Sequence, residues 1–381
     1  MFEALPGQDE AKDLFRRALA ADDLSHAYLL AGPEGLGKVE YARELGVAMV
    51  APCGGCGACD DCARARRGAH PDLRVIEREG DMIRLGQVAP IVAELVLKPF
   101  VAARRVWVLP EAEQLTPAAA NKLLKSIEEP PAHVHFVLVT DRIERMLPTI
   151  VSRCQVIDFQ PLSDAEVEAY LSDAHDLEGD EGRALARLAR GSVERAARFA
   201  ADARGVRLRD EYLRHVAALT GGTQPGAATA KSPAAAFLGV LDRRVELVAA
   251  EVAADAERRA ADVTALFADP DDRECARALK AVGERAKREK TRHARQAAAD
   301  ALDLVIAWLR DLWATAAGAP DAVLNCDRAA ELAAAAVARP EHYARLLAAA
   351  AVARKDLYLN VDQKLALQAM FARFEEVARS A

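Results

Sequence analysis

Short and almost unbroken apolar runs recur through the first 140 residues of the chain. Ala27-Tyr28-Leu29-Leu30-Ala31, Leu73-Arg74-Val75-Ile76, Val106-Trp107-Val108-Leu109 and His135-Phe136-Val137-Leu138-Val139 each read as a buried strand. Helical segments alternate with them, so the pattern predicts a parallel sheet covered by helices on both faces. One of those helices is marked at both ends, with Thr116 as its cap, Pro117 in its first turn and Pro130-Pro131 as its stop. Further on, Ser163 and Glu166 have the spacing of a capping box and open a helical stretch lasting to about Leu219. Residues 220–233 are rich in Gly, Pro and small side chains and read as a flexible connection. Beyond them the pattern is wholly helical: Leu302, Val305, Ile306, Leu309, Leu312 and Trp313 repeat at helical spacing, as do apolar residues from Leu357 to Met370, and such faces pack a core or a partner. The expected organisation is an α/β domain over 1–160, a small helical domain over 161–219, a linker over 220–233 and an all-α domain over 234–381.

Composition narrows the field. A chain of 381 residues exceeds a single ordinary core. Its net charge of −7 excludes a protein that coats nucleic acid by bulk charge, while leaving room for a local basic surface. The one basic run, from Arg277 to Arg295, is interrupted by Glu284 and Glu289 and reads as a solvated face. Residues Met1 to Asp9 show no basic region followed by an apolar stretch, and no uncharged run reaches membrane-spanning length, so a cytoplasmic protein with no membrane partner is expected.

Four of the seven cysteines, Cys53, Cys56, Cys59 and Cys62, lie within ten residues at x₂ spacings, and Gly54, Gly55 and Gly57 allow the tight turns that wrap a chain around one ion. Tetrahedral Zn²⁺ fits this set. An iron–sulfur run calls for an x₃ gap and a Pro after the last Cys, where this chain has x₂ and Ala63. Four thiolates leave no open coordination position, so the metal is expected to be structural.

Gly32-Pro33-Glu34-Gly35-Leu36-Gly37-Lys38-Val39 matches a phosphate-binding loop at every constrained position but the last. Such a loop can cradle phosphate with backbone N–H groups and Lys38. Val39 has no hydroxyl to offer Mg²⁺. In P-loop enzymes a later strand ends in an Asp that holds the magnesium shell, and here Pro110 and Glu111 follow Leu109. The same ion has thus lost two protein partners.

Together the degenerate loop, the Asn121-Lys-Leu-Leu-Lys-Ser-Ile-Glu128-Glu-Pro-Pro131 helix and the Ser152-Arg153-Cys154 triplet closely resemble the AAA+ subunits of the bacterial DNA polymerase III clamp loader, across residues 1–160 and including a four-cysteine zinc insertion. The resemblance implies an AAA+ domain, a helical lid and a C-terminal collar. It implies a degenerate nucleotide site at Gly32, Gly35, Gly37, Lys38 and Thr140, with weak ATP or ADP binding and a damaged Mg²⁺ site. It also implies that Arg153 serves the nucleotide of a neighbouring subunit in trans. Gly191-Ser192-Val193-Glu194 puts Glu where the motor subunits carry a nucleotide-touching Arg, with Arg195 one step late. These departures resemble the delta prime subunit type, without ATPase of its own, more than the hydrolysing gamma/tau type. The implied partners are gamma/tau and delta subunits in a hetero-pentameric ring, with the sliding clamp and primed DNA reached through that complex. The family's zinc module more often has a longer gap between its first two cysteines, which leaves His70 as an alternative ligand to Cys53. The segment Leu357 to Leu367 resembles the last, collar-forming helix. Two other readings stand beside this one: a motor ATPase using Lys38 and Glu111 with Mg²⁺ held by water alone, and a free-standing zinc-dependent DNA-binding protein.

Overall fold

The computed structural model describes residues 2, 5–76, 78, 82–201, 207–220, 232–265, 273–359 and 361–379. Most of the expected connection at 220–233 therefore lies outside the described residues. The chain divides into two compact units, one of residues 1–170 with 189–194, the other of 171–188 with 195–381.

In the first unit the elements follow the order α1 (Asp9–Ala20), β1 (Ala27–Ala31), α2 (Lys38–Val50), α3 (Asp60–Arg66), β2 (Leu73–Val75), α4 (Leu85–Glu94), β3 (Arg105–Leu109), α5 (Pro117–Glu128), β4 (Val134–Thr140), α6 (Pro148–Val151) and β5 (Gln155–Asp158), and α7 (Asp164–His175) begins before the unit ends. The strands form one parallel sheet in the order β2-β3-β4-β1-β5. Alternate residues feed opposite faces: Tyr28, Leu30, Val106, Val108, Val137 and Val139 pack one core, whereas Leu29, Trp107, Leu109, Phe136 and Leu138 pack the other. Burial on both faces is why these strands are apolar at nearly every position. The fifth strand went unpredicted because only Ile157 of Gln155-Val156-Ile157-Asp158 is buried, so this edge has no apolar run. Thr116 accepts the Ala119 N–H as cap of α5, and Ser163 and Glu166 make the reciprocal capping bonds at α7.

Because β1 lies between β4 and β5, the chain leaves it by α2 for the far edge of the sheet and returns later. Sheets of this kind bind ligands beyond the strand C-termini where the order reverses. The loop after β1 occupies that place. Ala31 pairs with Thr140, which brings the end of β4 beside the start of the loop.

The second unit is helical. It contains the end of α7, then α8 (Gly179–Ala189), α9 (Val193–Ala200), α10 (Leu208–Thr220), α11 (Pro233–Ala265), α12 (Arg273–Ala316), α13 (Ala329–Ala335), α14 (Pro340–Tyr358) and α15 (Gln363–Arg379), with α8 and α9 shared at the boundary. Tyr212, Phe237, Phe371 and Phe374 form a chain of ring contacts joining α10, α11 and α15. Leu302, Val305, Leu309 and Leu312 are buried as expected, but Trp313, Leu359 and Leu365 are exposed. One expectation is corrected: Leu357–Leu367 is not a helix but straddles the break between α14 and α15, and the last helix is Gln363–Arg379. Periodicity carries across the break because both flanking helices bury apolar faces, and Asp362 starts a fresh helix by accepting the Leu365 N–H.

Candidate nucleotide and metal sites

The phosphate-binding loop folds as its glycines require. Gly32 has φ +145, and a Cβ there would lie 2.3 Å from the Phe159 carbonyl oxygen; Gly35 has φ +85, and its Cβ would lie 2.4 Å from Ser192 Oγ. Lys38 opens α2 after Gly37. Its side chain is nevertheless engaged within the protein. Nζ lies 2.7 Å from Asp141 Oδ1 and donates to the Pro33 carbonyl, with the side chain almost wholly buried. Ser192, in the turn expected to touch nucleotide, instead donates its hydroxyl to the Gly35 carbonyl at 2.8 Å. The loop is thus fastened by its own chain at both the lysine and the backbone.

The strand ends around it are acidic. Pro110 contributes no carboxylate, and Glu111, at φ +50, pairs with Arg78 at 2.7 Å. Glu113 sits beside Thr140; burial raises its pKa most, against the Thr140 hydrogen bond, and Asp141 and Glu111 add to the rise. A phosphate entering here meets a neutralised lysine and nearby carboxylates.

Arg153 follows α6 and is partly exposed. Its guanidinium pairs with Glu128 at 2.6 Å, at the end of α5, and donates to the Thr149 carbonyl at 3.1 Å. The Asn121–Pro131 segment, whose helical part ends at Glu128, and the Ser-Arg-Cys triplet, two separate signals in the sequence, therefore meet at this ion pair. Arg195 pairs with Asp303 at 3.5 Å, within the second unit.

Among the described residues Cys53, Cys56, Cys59 and Cys62 converge, with all four Sγ atoms within 4.8 Å of one another. A tetrahedron with metal–sulfur bonds of about 2.3 Å has edges of about 3.8 Å, so this set fits one ion. The Cys56 backbone N–H donates to Cys53 Sγ and holds that thiol down at about 6, while burial pushes Cys62 up to about 12. Metal binding takes the ligands as thiolates, so an ion held here would release protons. His70 is elsewhere engaged: buried, it accepts the Asp72 N–H on Nδ1 at 3.1 Å. Asp72, fully buried, accepts the N–H groups of Phe100, Val101 and Ala102 at 2.8 to 3.0 Å and fixes the approach to β3.

A family model described as "DNA polymerase III, delta subunit" matches residues 7–163. The DNA polymerase III subunit delta' of Bacillus subtilis is 34% identical over 190 residues, which is 49% of this chain and 57% of that protein. The delta' subunit of Pseudomonas aeruginosa is 40% identical over 136 residues, 34% of this chain and 42% of the relative. Over residues 7–163 the chain is thus similar to subunits of the DNA polymerase III clamp loader. The tau subunit of B. subtilis also matches, at 29% identity over 191 residues, covering 48% of this chain and 33% of that one. Against these relatives the chain spans about half of their length or less. A gamma subunit-related protein of Thermotoga maritima has 16% identity over 95% of this chain and 98% of its own, with a TM-score of 0.40.

Of the residues singled out in the sequence, the loop, Lys38 and Thr140 lie together at the strand ends, the four cysteines converge, and Arg153 lies apart after α6. Sequence reasoning missed Asp141, Glu113 and the partner of Arg153. Asp141 had a usable signal: an acid directly after Thr140, at the end of a strand paired with β1, lies within reach of the loop lysine. Glu128 had none, since its pairing depends on where α5 and α6 end.

Proposed function

We propose that this chain is a delta prime-type clamp-loader subunit, without ATPase of its own, that serves a neighbouring subunit's ATP through Arg153. The observation that carries the reading is the Lys38–Asp141 pair at 2.7 Å, in a site already lacking magnesium partners at Val39 and Pro110. A motor subunit needs that lysine for phosphate. Relatives of both subunit types match, so the choice between them rests on these residues. Within a cytoplasmic hetero-pentameric ring of gamma/tau and delta subunits, the second unit's helices supply the collar contact, and the complex brings the sliding clamp to primed DNA. Zinc is the metal assigned to the four cysteines, since an all-thiolate tetrahedral set with no open position suits a structural Zn²⁺.

Arg153→Ala in a reconstituted complex tests the reading. The Glu128–Arg153 pair is a surface pair and contributes little to stability, so the ring should assemble normally by gel filtration. Loss of a trans guanidinium costs about 10³-fold or more at the one site it serves. Clamp loading should fall strongly while total phosphate release falls less. An intact mutant ring that loads clamps at the wild-type rate would show that Arg153 is an ordinary surface residue.

A further inference from the structure

Between Arg273 and Arg295 the sequence carries nine Lys or Arg residues against three Glu, in a chain whose net charge is −7. This stretch is the first half of α12, and α12 pairs with α11. Among the described residues from 249 to 296 only Cys275 is buried, so the outer part of the pair is a two-helix arm with no third layer over it. At about 100° per residue, Cys275, Val282, Ala286, Glu289 and His293 lie on one side of α12. Glu289, bonded to Arg259 at 3.2 Å, identifies that side as the one facing α11. Arg277, Lys280, Arg288, Arg292 and Arg295 lie on the opposite side, at the 3–4 and 7–8 residue spacings of a single stripe. Over this range the helix is about 27 Å long, from a rise of about 1.5 Å per residue. Glu284 is the one acid in the stripe, and it is taken by Lys287 at 3.1 Å. Lys280, Arg288, Arg292 and Arg295 form no ion pair among the described residues.

We propose that this stripe binds the phosphate backbone of double-stranded nucleic acid. Sequence alone reads the run as a solvated face because it cannot show that the opposing acid, Glu289, is held by α11. Two features select the ligand. Protein interfaces need an apolar core with aromatic anchors, and the exposed uncharged residues among these cations are Ala276, Ala281, Gly283, Thr291 and His293, none of them a large apolar anchor. Single-strand sites need aromatic side chains for base stacking, and residues 273–295 contain no Phe, Tyr or Trp. What is left is a straight row of cations nearly as long as one turn of B-form duplex, suited to non-specific backbone contact. The proposal is independent of the clamp-loader assignment, since it rests on residues outside the matched 7–163.

The test is fluorescence anisotropy of the full chain with a 30-base-pair duplex of arbitrary sequence, across a salt series. Neutralising about five phosphates gives a slope of log K on log salt near −4.5. The variant Arg277→Gln, Lys280→Gln, Arg292→Gln, Arg295→Gln keeps good helix formers at surface positions, and circular dichroism checks its fold. It should lose about tenfold or more in affinity at low salt and bring the slope to about −1. Affinity and slope unchanged in the folded variant, or no duplex binding by the native chain at low salt, would overturn the proposal. So would a single strand of equal length binding more tightly than the duplex, or polyglutamate of matched charge displacing the duplex equally well, the result expected for an acidic protein partner.

Discussion

Asp141 follows Thr140 at the end of β4, and from there its carboxylate acts twice on the phosphate-binding loop: it cancels the charge of Lys38 and it occupies the donor that a phosphate oxygen would use. Replacing it with Asn removes the charge and keeps the volume. Asp141→Asn should tighten nucleotide binding by about tenfold, equivalent to about 1.4 kcal/mol, as read by equilibrium titration with a fluorescent ADP analogue. An unaltered affinity would mean that the ion pair is not what closes the loop. Asp72 makes a contrasting case, since its role is to hold backbone. Burial alone would raise its pKa, but the Ala102, Val101 and Phe100 N–H donors and the Arg105 charge outweigh that and hold the carboxyl below its usual range. A depressed carboxylate contributes stability that is present above its unfolded pKa and is lost as pH falls through the folded value. Asp72→Asn should therefore destabilise the chain by about 2–3 kcal/mol at neutral pH. The gap between the two proteins should stay level down to about pH 5 and close only below about pH 4, which melting curves across that range would register. Neither side chain stood out in the sequence, where Asp72 was only the residue after His70-Pro71. Its meaning comes from three N–H groups some thirty positions away.

At the level of elements, legibility followed apolar runs more than burial. Strands β1, β3 and β4 were readable because both their faces are covered; β2 was readable from its apolar residues although only Leu73 of the strand is buried and Arg74 is exposed, and β5, bounded by Gln155 and Asp158, was not. The helix caps at Thr116 and Ser163 were readable because capping is local chemistry. The cysteine loop was legible for the same reason, and the structure adds how it is anchored. Cys62 and Ala65 of α3 are buried in the core cluster that also holds residues of α2, whereas Cys53 and Cys56 are exposed. Metal removal should then loosen the outer loop first. Elemental analysis should give about one zinc per chain, and treatment with a chelator should cut amide-exchange protection over residues 53–66 while leaving β1, β3 and β4 unchanged. Full zinc retention by Cys59→Ser, Cys62→Ser protein would contradict the ligand assignment. Iron in place of zinc would contradict the metal.

On the scale of the whole molecule, the residues present oppose nucleotide binding and turnover in different ways, and the difference can be measured. The ion pair at Lys38 and the Ser192 hydroxyl on Gly35 oppose nucleotide entry, and substitutions at Asp141 and Ser192 would remove both. Hydrolysis needs magnesium held at two further points, and there the chain has Val39 and Pro110. Sequence sufficed for the second failure, since a missing oxygen is a matter of residue identity. The first depends on two side chains reaching the same loop, Asp141 just beyond β4 and Ser192 in a turn 157 positions from Gly35, and of these only the acid after Thr140 leaves a trace in the sequence. The isolated chain should therefore show no magnesium-dependent ATP turnover. Asp141→Asn, even with its tighter binding, should show none either, because it restores neither magnesium partner. Phosphate release measured on both proteins decides the matter: a rate of about 1 s⁻¹ or more that Lys38→Ala abolishes would make this chain a motor. A variant that binds nucleotide and leaves it intact would separate the closed loop from the lost metal site, as two independent barriers in one subunit.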